Sequence, residues 1–293
     1  MLSLHTNAAA LSAQNSIGRT QSSLSTSQTR LSTGFRVNSA MDDAAGLQIA
    51  TRLKAQTSGM TMAMRNTQNS ISMMQTAEGA LDETTNILVR MKDLATQGAD
   101  SSSTAADKGA MQAEFDALTQ ELTNIVGNTA FGGQKLLAGT DSTFSDGTNK
   151  ATFQIGASSG EKMEVDMSGV IVTMHASIAA AATGYKSDGS VNVPAGGEIK
   201  TTANATIDLL KTAIDDVGVV RSALGAASNR LDHVYNNLAN ISTNTKAATG
   251  RIMDTDFAAE SSSMTSNQML LQAGTAMLKQ SNSTSSLVMS LLQ

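Results

Sequence analysis

Residues 53–95, LKAQTSGMTMAMRNTQNSISMMQTAEGALDETTNILVRMKDLA, carry the strongest structural signal in the chain. An apolar or small residue returns at every seventh position, which gives the row Leu53, Met60, Thr67, Met74, Leu81, Leu88 and Ala95. A seven-residue repeat of this length forms one continuous seam along a helix, and such a seam must face other helices. The segment is therefore predicted to lie within one long helix, from Ala44 to about Ala99.

Three other segments keep the same spacing, and two of them lie at the ends of the chain. The internal one consists of Leu210, Val217, Leu224, Leu231 and Leu238. Near the start, with one six-residue step, the row is Leu4, Leu11, Ile17, Leu24 and Leu31. The last segment carries Phe257, Met264, Leu271 and Leu278, with a parallel row at Leu270, Met277, Thr284 and Leu291. Apolar rows at both ends predict terminal helices that pair with each other and with neighbouring copies of the chain.

The remaining segments complete a mainly α fold. Further helices are predicted at residues 8–32, 105–126, 201–248 and from about 254 almost to the end, and Gly127 and Asn128 are expected to end the second of these. Polar and apolar residues alternate in 152–155 and in 163–167, which predicts a β-hairpin. Residues 183–197 are loop-like. Because the second half mirrors the first, the prediction is a nested long-helix bundle or coiled coil built from both termini, with a small β-hairpin region at the tip.

Composition narrows the function classes. Aromatic residues make up only 3% of the 293 residues, so Ala, Met and Leu must fill the core, which suits thin helical packing. A net charge of −5 argues against a surface that binds nucleic acid. The sequence contains no run of 18 apolar residues, so no membrane-spanning helix is predicted. Cysteine is absent. This absence fits either chance and cytosolic life, or a chain that crosses redox compartments or is exported unfolded.

No active site is predicted, and neither a cofactor nor a metal is expected. Asp42 and Asp43 lack a third ligand at usable spacing, so they are interpreted as capping residues of the long helix. His5, His175 and His233 stand alone in the sequence, without the pattern of a zinc peptidase. The 17 methionines are interpreted as adaptable packing residues rather than ligands.

Several motifs resemble the bacterial flagellin family. Residues 31–46, LSTGFRVNSAMDDAAG, are similar to that family's most recognisable stretch, and residues 128–137, NTAFGGQKLL, resemble the junction after its short helix. Residues 251–260, RIMDTDFAAE, resemble a joint near its C-terminus, and QAGT at 272–275 and SLL at 290–292 also match. The opening residues 1–7 are shifted from the usual start. The resemblance covers about 1–175 and 200–293.

The resemblance implies a secreted, extracellular structural protein that polymerises into the flagellar filament after export in an unfolded state. Residues 1–43 and 250–293 would form the coiled-coil inner core, and residues 44–175 and 200–249 the helical outer core, with a β-hairpin near 150–168. Residues 176–199 would be a short variable tip loop. Implied partners are other copies of the chain, an export chaperone at the C-terminal segment, and the filament cap and hook-junction proteins.

The terminal segments are expected to order only during assembly. Burying the bulky apolar side chains of residues 254–293 stabilises the segment less than ordering its backbone costs, so it should be largely disordered in the monomer. Leu291 and Leu292 belong to an apolar end that the family presents to a cytosolic immune sensor. Inner-core packing is the simpler interpretation of these two residues.

A further candidate site lies on the long helix. Arg90, Leu94, Gln97 and, on the facing short helix, Glu114 match a family segment that contacts other subunits and is recognised by the vertebrate Toll-like receptor for flagellin. The alternative interpretation is an ordinary solvated helix face. For the whole chain, the alternatives are a hook–filament junction protein, which forms one ring, and a cytoplasmic signalling coiled coil such as a chemoreceptor domain.

Overall fold

The structure, a computed structural model of the chain, describes residues 7–139, 142–144, 150–190 and 196–291. Its helices are α1 Ala8–Thr33, α2 Ala44–Ala99, α3 Ala105–Asn128, α4 Ser168–Ala181, α5 Glu198–Thr201, α6 Ala203–Met253 and α7 Phe257–Leu291. Its strands are β1 Ala130–Phe131, β2 Gln134–Lys135, β3 Ala151–Gln154 and β4 Lys162–Val165. The predicted mainly α fold with a small β-hairpin is confirmed, and α2 has the bounds that its seven-residue row predicted.

The chain divides into two compact units. Residues 1–57 and 243–293 form the terminal unit, and residues 58–242 form the central unit. The chain passes between them inside α2 and α6, whereas the sequence placed its domain boundaries in the connectors near residues 43 and 250. The assignment of these domains to the inner and outer core of a polymer stays a prediction.

In the terminal unit, α1 and α7 lie antiparallel. At one end of the pair, Nδ2 of Asn7 donates to the carbonyl of Ser281 at 3.3 Å. Further along, the helices approach closely at Gly274, where an added Cβ would lie 2.9 Å from Cγ1 of Ile17. The small residue of the QAGT motif therefore permits close packing of the two helices.

The central unit contains the hydrophobic core. Side chains from α2, α3, α4 and α6 meet those from the strands and the segments between them. Its largest fully buried side chains are Met74, Leu81, Leu88, Met91, Phe115, Leu122, Leu136, Leu137, Ile171, Met174, Ile178 and Ile199. Three of the seven residues in the α2 row belong to this set, so the seam faces the core as predicted.

The motif at residues 128–137 folds as a tight hairpin. Phe131 of β1 pairs with Gln134 of β2 in antiparallel register. The two residues between them, Gly132 and Gly133, have φ values of +59° and +86°. Positive φ at both central positions is the geometry of a type I′ turn, which matches the twist of the flanking strands. The glycine pair is therefore required by the turn.

The larger hairpin lies beside α2 rather than beyond its end. Strands β3 and β4 pair antiparallel, with Phe153 opposite Met163. An added Cβ on Gly59 would lie 2.7 Å from Cβ of Ala157, so the hairpin turn contacts the early part of α2. That point is about 60 Å along the helix from Gly98, by the rise of about 1.5 Å per residue. The alternating pattern thus predicted the hairpin correctly, whereas its predicted position beyond the end of the long helix is wrong.

Helix α4 was not predicted. The sequence placed a loop at 176–199, but the helix runs through Ala181. Its buried residues Ile171, Met174, His175 and Ile178 follow a spacing of three and four, which is the helical pattern. The signal was missed because the alternation of the hairpin continues to Met167 and hides the change of period.

Helix α3 also ends differently from the prediction. Gly127 and Asn128 remain helical, and Thr129 is the C-terminal cap with an extended backbone. Gly127 instead lies against the loop at Gly189. A Cβ added to Gly127 would be 2.3 Å from the Cα of Gly189. The glycine therefore provides space for the chain segment that follows α4.

The two aspartates before α2 have different tasks. Asp43 accepts a hydrogen bond from the backbone N–H of Gly46 at 2.8 Å, which is the geometry of an N-cap. Asp42 accepts from the backbone N–H groups of Ser39 and Asn38 at 2.9 and 3.1 Å. Those N–H groups hold the pKa of Asp42 below its usual value. Asp43 caps the helix as expected, whereas Asp42 orders the connector.

Candidate assembly surface

The predicted rows of the terminal unit are only partly covered. Ile17, Leu24, Leu31, Met264, Leu271 and Leu278 are half-buried between α1 and α7. Leu11 and Phe257 remain 55% and 57% exposed. Leu4 and Leu292 lie outside the described residues, as does the side chain of Leu291. Among the described residues of this unit, the buried apolar ones are Val37 and Ala50. The helix pair by itself leaves its apolar rows incomplete.

The described half of a second apolar row on α7 is open to solvent. Leu270 is 58% exposed and Met277 is 69% exposed. Both line a groove between α7 and α1, whose opposite wall carries small residues such as Ala13 and Ser16. None of the residues lining this groove is charged. The arrangement suits the apolar side of another helix, which can insert side chains into the groove.

The two connectors of the terminal unit pair with each other. Phe35 and Asp254 form an antiparallel bridge. The N–H of Arg36 donates to the carbonyl of Met253 at 2.6 Å, and the N–H of Thr255 donates to the carbonyl of Gly34 at 3.0 Å. Two motifs more than 200 residues apart in sequence therefore form one joint. Sequence reasoning identified each motif but not their pairing.

Arginine side chains reinforce this joint. The guanidinium of Arg36 donates to the carbonyl of Ile252 at 3.0 Å, near the end of α6, where helix carbonyls lack partners within the helix. Arg30 and Glu260 form an ion pair at 3.6 Å, with the Glu260 side chain only 13% exposed. These contacts fix the direction in which α1 and α7 leave the joint.

The candidate residues on α2 and α3 are not all exposed to solvent. Nε and Nη2 of Arg90 donate to Oε1 of Glu114 at 2.9 and 2.6 Å, and both side chains are about half exposed. Gln97 is also exposed. Leu94, however, is 2% exposed and belongs to the core. A partner that approaches this face would contact Arg90, Glu114 and Gln97, while Leu94 supports the helix from beneath.

A buried polar network fixes α5 against α3. Gln112, 2% exposed, donates to Oε2 of Glu198 at 2.8 Å and accepts from the N–H of Ile199 at 2.8 Å. Thr183 donates to Oε1 of Glu198 from its N–H at 3.0 Å. Burial acts to raise the pKa of Glu198, but the hydrogen bonds from Thr183, Gln112 and the backbone outweigh it and lower the pKa. The network is a structural anchor.

His175, which belongs to no metal-binding pattern in the sequence, has two hydrogen-bond partners in the structure. Its Nε2 lies 2.8 Å from the Leu137 carbonyl, and its Nδ1 lies 2.6 Å from the Tyr185 hydroxyl. Because a carbonyl can only accept, Nε2 carries the proton and Nδ1 accepts from tyrosine. Burial lowers the pKa of His175, and it raises that of Tyr185. The side chain joins α4 to the motif at residues 128–137, a contact that no pattern in the sequence indicates.

The part of the chain that the structure describes holds neither a metal-binding cluster nor a membrane-spanning helix. No group of three or more His, Asp or Glu side chains there could hold a metal ion. No helix among those residues combines the length and apolarity that crossing a bilayer requires. The features left are the paired termini, the open apolar row and the joint. Together they are typical of a helical subunit whose terminal helices carry an incompletely covered apolar surface.

Comparison with known proteins identifies the family of this chain. The family model for the bacterial flagellin N-terminal helical region matches residues 4–142, and that for the C-terminal helical region matches residues 207–292. The chain belongs to the bacterial flagellin family. Flagellins are the subunits of the flagellar filament, and this chain is such a subunit. The resemblance seen in the motifs is confirmed, and the alternative of a hook–filament junction protein is not favoured.

Individual relatives give the same result. Flagellin A of Vibrio anguillarum is 35% identical over 386 aligned positions that cover both chains completely. Polar flagellin C of Vibrio parahaemolyticus is 33% identical over 389 positions, again covering both chains. A solved protein of Vibrio parahaemolyticus, provisionally described as flagellar hook-associated, has a TM-score of 0.54 at 17% identity, over 73% of this chain and all of that one. That last likeness concerns the fold alone.

Proposed function

We propose that the terminal unit is the polymerising part of this filament subunit and orders fully only when other copies cover it. The observation that carries the proposal is the open row on α7, where Leu270 and Met277 are more than half exposed. Such large exposed apolar side chains beside an uncharged groove are stabilised when a further helix removes them from water. In a filament the available helices are those of neighbouring copies.

Amide hydrogen exchange tests this directly. In dilute monomer, the amides of residues 264–278 should exchange much faster than those of residues 76–95 in α2, which lie in the buried core. In seeded filaments both segments should be protected. The α2 segment serves as the internal control in each sample. Strong protection across 264–278 in dilute monomer would refute ordering on assembly.

Filament growth tests the polymerising role. Purified monomer mixed with short filament seeds should give long uniform filaments under negative-stain electron microscopy. The pattern of matches supports this outcome, since both family models describe flagellin. Seeds that stop after a single terminal layer would favour the junction protein instead.

The domain assignment follows from the same proposal. Residues 1–43 and 250–293 would form the inner core, and residues 44–175 and 200–249 the outer core. The predicted tip loop at 176–199 is left out of this assignment, because α4 extends through Ala181 and the side chains of Ile178 and Ile199 are fully buried. The proposal includes secretion from the cell, an export chaperone on the C-terminal segment, and cap and hook-junction partners at the filament ends. A purely structural, non-catalytic role agrees with the roles found for the polar side chains, which cap helices or anchor loops.

Pull-down of a chaperone by the wild-type chain but not by a chain ending at residue 253 would test the chaperone assignment.

The exposed part of the segment on α2 is proposed as the contact for the vertebrate Toll-like receptor. Arg90 and Glu114 form an ion pair at 2.6 Å on the surface, and Gln97 lies on the same helix as Arg90. The variant Arg90→Asp should abolish receptor signalling while leaving the helix folded. Arg65→Asp, an exposed arginine elsewhere on α2, is the matched control and should signal normally. Unchanged signalling by the Arg90 variant would refute the assignment.

A further inference from the structure

The methionine side chains of this chain differ widely in solvent exposure. The chain has 17 methionines and no cysteine, so thioethers are its oxidisable sulfur groups. In the central unit Met74, Met91 and Met174 are at most 1% exposed. On α7, in contrast, Met269 and Met277 are 58% and 69% exposed. Because oxidation follows exposure, the α7 thioethers should react well before those of the core.

These two methionines lie on the helix that the proposed function buries. Met277 lines the uncharged groove between α1 and α7 together with Leu270. A methionine side chain is flexible and apolar, so it adapts well to a neighbouring helix. Its sulfoxide is polar, and a polar group placed in an apolar contact loses its hydration without an equivalent partner. Oxidation at this place therefore opposes assembly.

We propose that Met269 and Met277 form an oxidative modification site at which a peroxide prevents incorporation of the subunit. A lone pair of the thioether sulfur attacks one oxygen of hydrogen peroxide, the S–O bond forms and the O–O bond breaks. The second oxygen leaves as water after proton transfer. Sulfur loses two electrons and peroxide gains them. The proposal rests on the assembly role of the terminal unit, and in a finished filament the same thioethers would be shielded.

The test uses full-length monomer treated with graded hydrogen peroxide. Peptide mass spectrometry measures the sulfoxide fraction at each methionine, and the elongation rate of filament seeds is measured on the same samples. Elongation should fall at least tenfold as Met269 and Met277 become oxidised, at doses that leave core methionines intact. The double variant Met269→Leu, Met277→Leu keeps volume and apolarity, and its elongation rate after peroxide should equal its own untreated rate, whatever that untreated rate is.

A matched control separates this site from general oxidation. Met41 and Met62 are 95% and 52% exposed but lie outside α7. The double variant Met41→Leu, Met62→Leu should therefore lose elongation after peroxide just as the wild-type chain does. Circular dichroism of each treated sample checks that the central unit stays folded.

Three results would overturn the inference. The α7 double variant could lose elongation after peroxide as strongly as the wild type, or the Met41 and Met62 variant could be the one protected. Oxidised wild type could also elongate normally while both α7 residues are fully sulfoxide. Failure of the proposed function is distinguishable from these, because untreated wild-type monomer would then fail to elongate seeds at all.

Discussion

Leu88 of α2 and Leu271 of α7 occupy equivalent positions in two seven-residue rows, but their surroundings differ. Leu88 is fully buried, because side chains from α3, α6, α4 and the strands join its row in one core. Leu271 is half-buried, because α1 is the helix that packs along α7 in the described part of the terminal unit. The same pattern thus forms a finished core in one unit and an unfinished surface in the other. The number of covering elements, not the spacing, makes this difference.

Polar contacts follow the same division. In the central unit, Gln112 and Glu198 are buried and fully hydrogen-bonded, which fixes one arrangement of α3 and α5. In the terminal unit, the contacts between α1 and α7 are partly exposed, as with Asn7 and Ser281. Exposed contacts stabilise little, because water competes for the same groups. The central unit is therefore expected to fold alone, and the terminal unit to depend on its neighbours.

The largest expected effect comes from truncating equivalent row residues. Leu88→Ala should lower the free energy of unfolding of the monomer by about 3 kcal/mol, the typical cost of a buried leucine. Leu271→Ala should change it by less than about 1 kcal/mol, since that row is incomplete in the monomer. Urea unfolding followed by circular dichroism measures both. Leu271→Ala should instead slow the elongation of filament seeds, and equal losses of stability in the two variants would contradict the comparison.

Two close-packed glycines provide the next test. A Cβ on Gly127 would meet the Cα of Gly189 at 2.3 Å, so Gly127→Ala must displace backbone and should cost about 2 kcal/mol of unfolding free energy. A Cβ on Gly274 would meet a side-chain atom of Ile17 at 2.9 Å, which a small rotation relieves. The higher helix propensity of alanine offsets that contact. Thermal unfolding of Gly274→Ala should therefore match wild type, and a Tm as low as that of Gly127→Ala would break the comparison.

The helix caps should show a smaller contrast. Thr104 caps α3, and its hydroxyl accepts from the N–H of Asp107 at 3.3 Å. Thr104→Ala should cost about 1 kcal/mol in urea unfolding of the monomer. Asn7 caps α1 in the same way, through Ala10. Asn7→Ala should leave the urea midpoint unchanged and reduce seed elongation. A lowered midpoint would show that α1 already contributes to the stability of the monomer.

The smallest effect concerns pH and is confined to the central unit. Burial lowers the pKa of His175 in the folded state, so below the unfolded value of about 6.5 the unfolded chain binds more protons. Stability contributed by the neutral side chain is constant above about pH 6.5 and declines as pH falls below it. The urea midpoint between pH 8 and 5 should show this decline. His175→Gln should flatten it, whereas His233→Gln, at an exposed position, should not.

Much of the fold could be predicted because its signals are local. The row in residues 53–95 predicted one long helix, and Asp43 marked its start as expected. Alternation of polar and apolar residues predicted β3 within one residue and β4 within two residues at each end. Where two local patterns met, prediction failed. The alternation that ends at Met167 concealed α4, because the change from a strand period to a helix period falls inside one apolar segment.

The candidate site divides in the same manner. The rows on α7 and the motifs of the joint were visible in sequence, since spacing and motif letters are properties of the chain itself. The exposure of Leu270 and Met277, the burial of Leu94 and the partners of His175 were not visible. Each depends on which distant segment packs over the residue, and the residues adjacent in sequence do not indicate that segment.

By itself, the sequence determined the helical periods, the alternation that forms the hairpin of β3 and β4, the paired termini and the flagellin motifs. These follow from backbone geometry and side-chain spacing, which act over a few residues. Only the tertiary structure decided which rows are covered, where the hairpin at Ala157 packs, and that the motifs at Gly34 and Asp254 form one joint. Burial depends on all the contacts around a side chain, and many of those contacts come from segments that are far apart in the sequence.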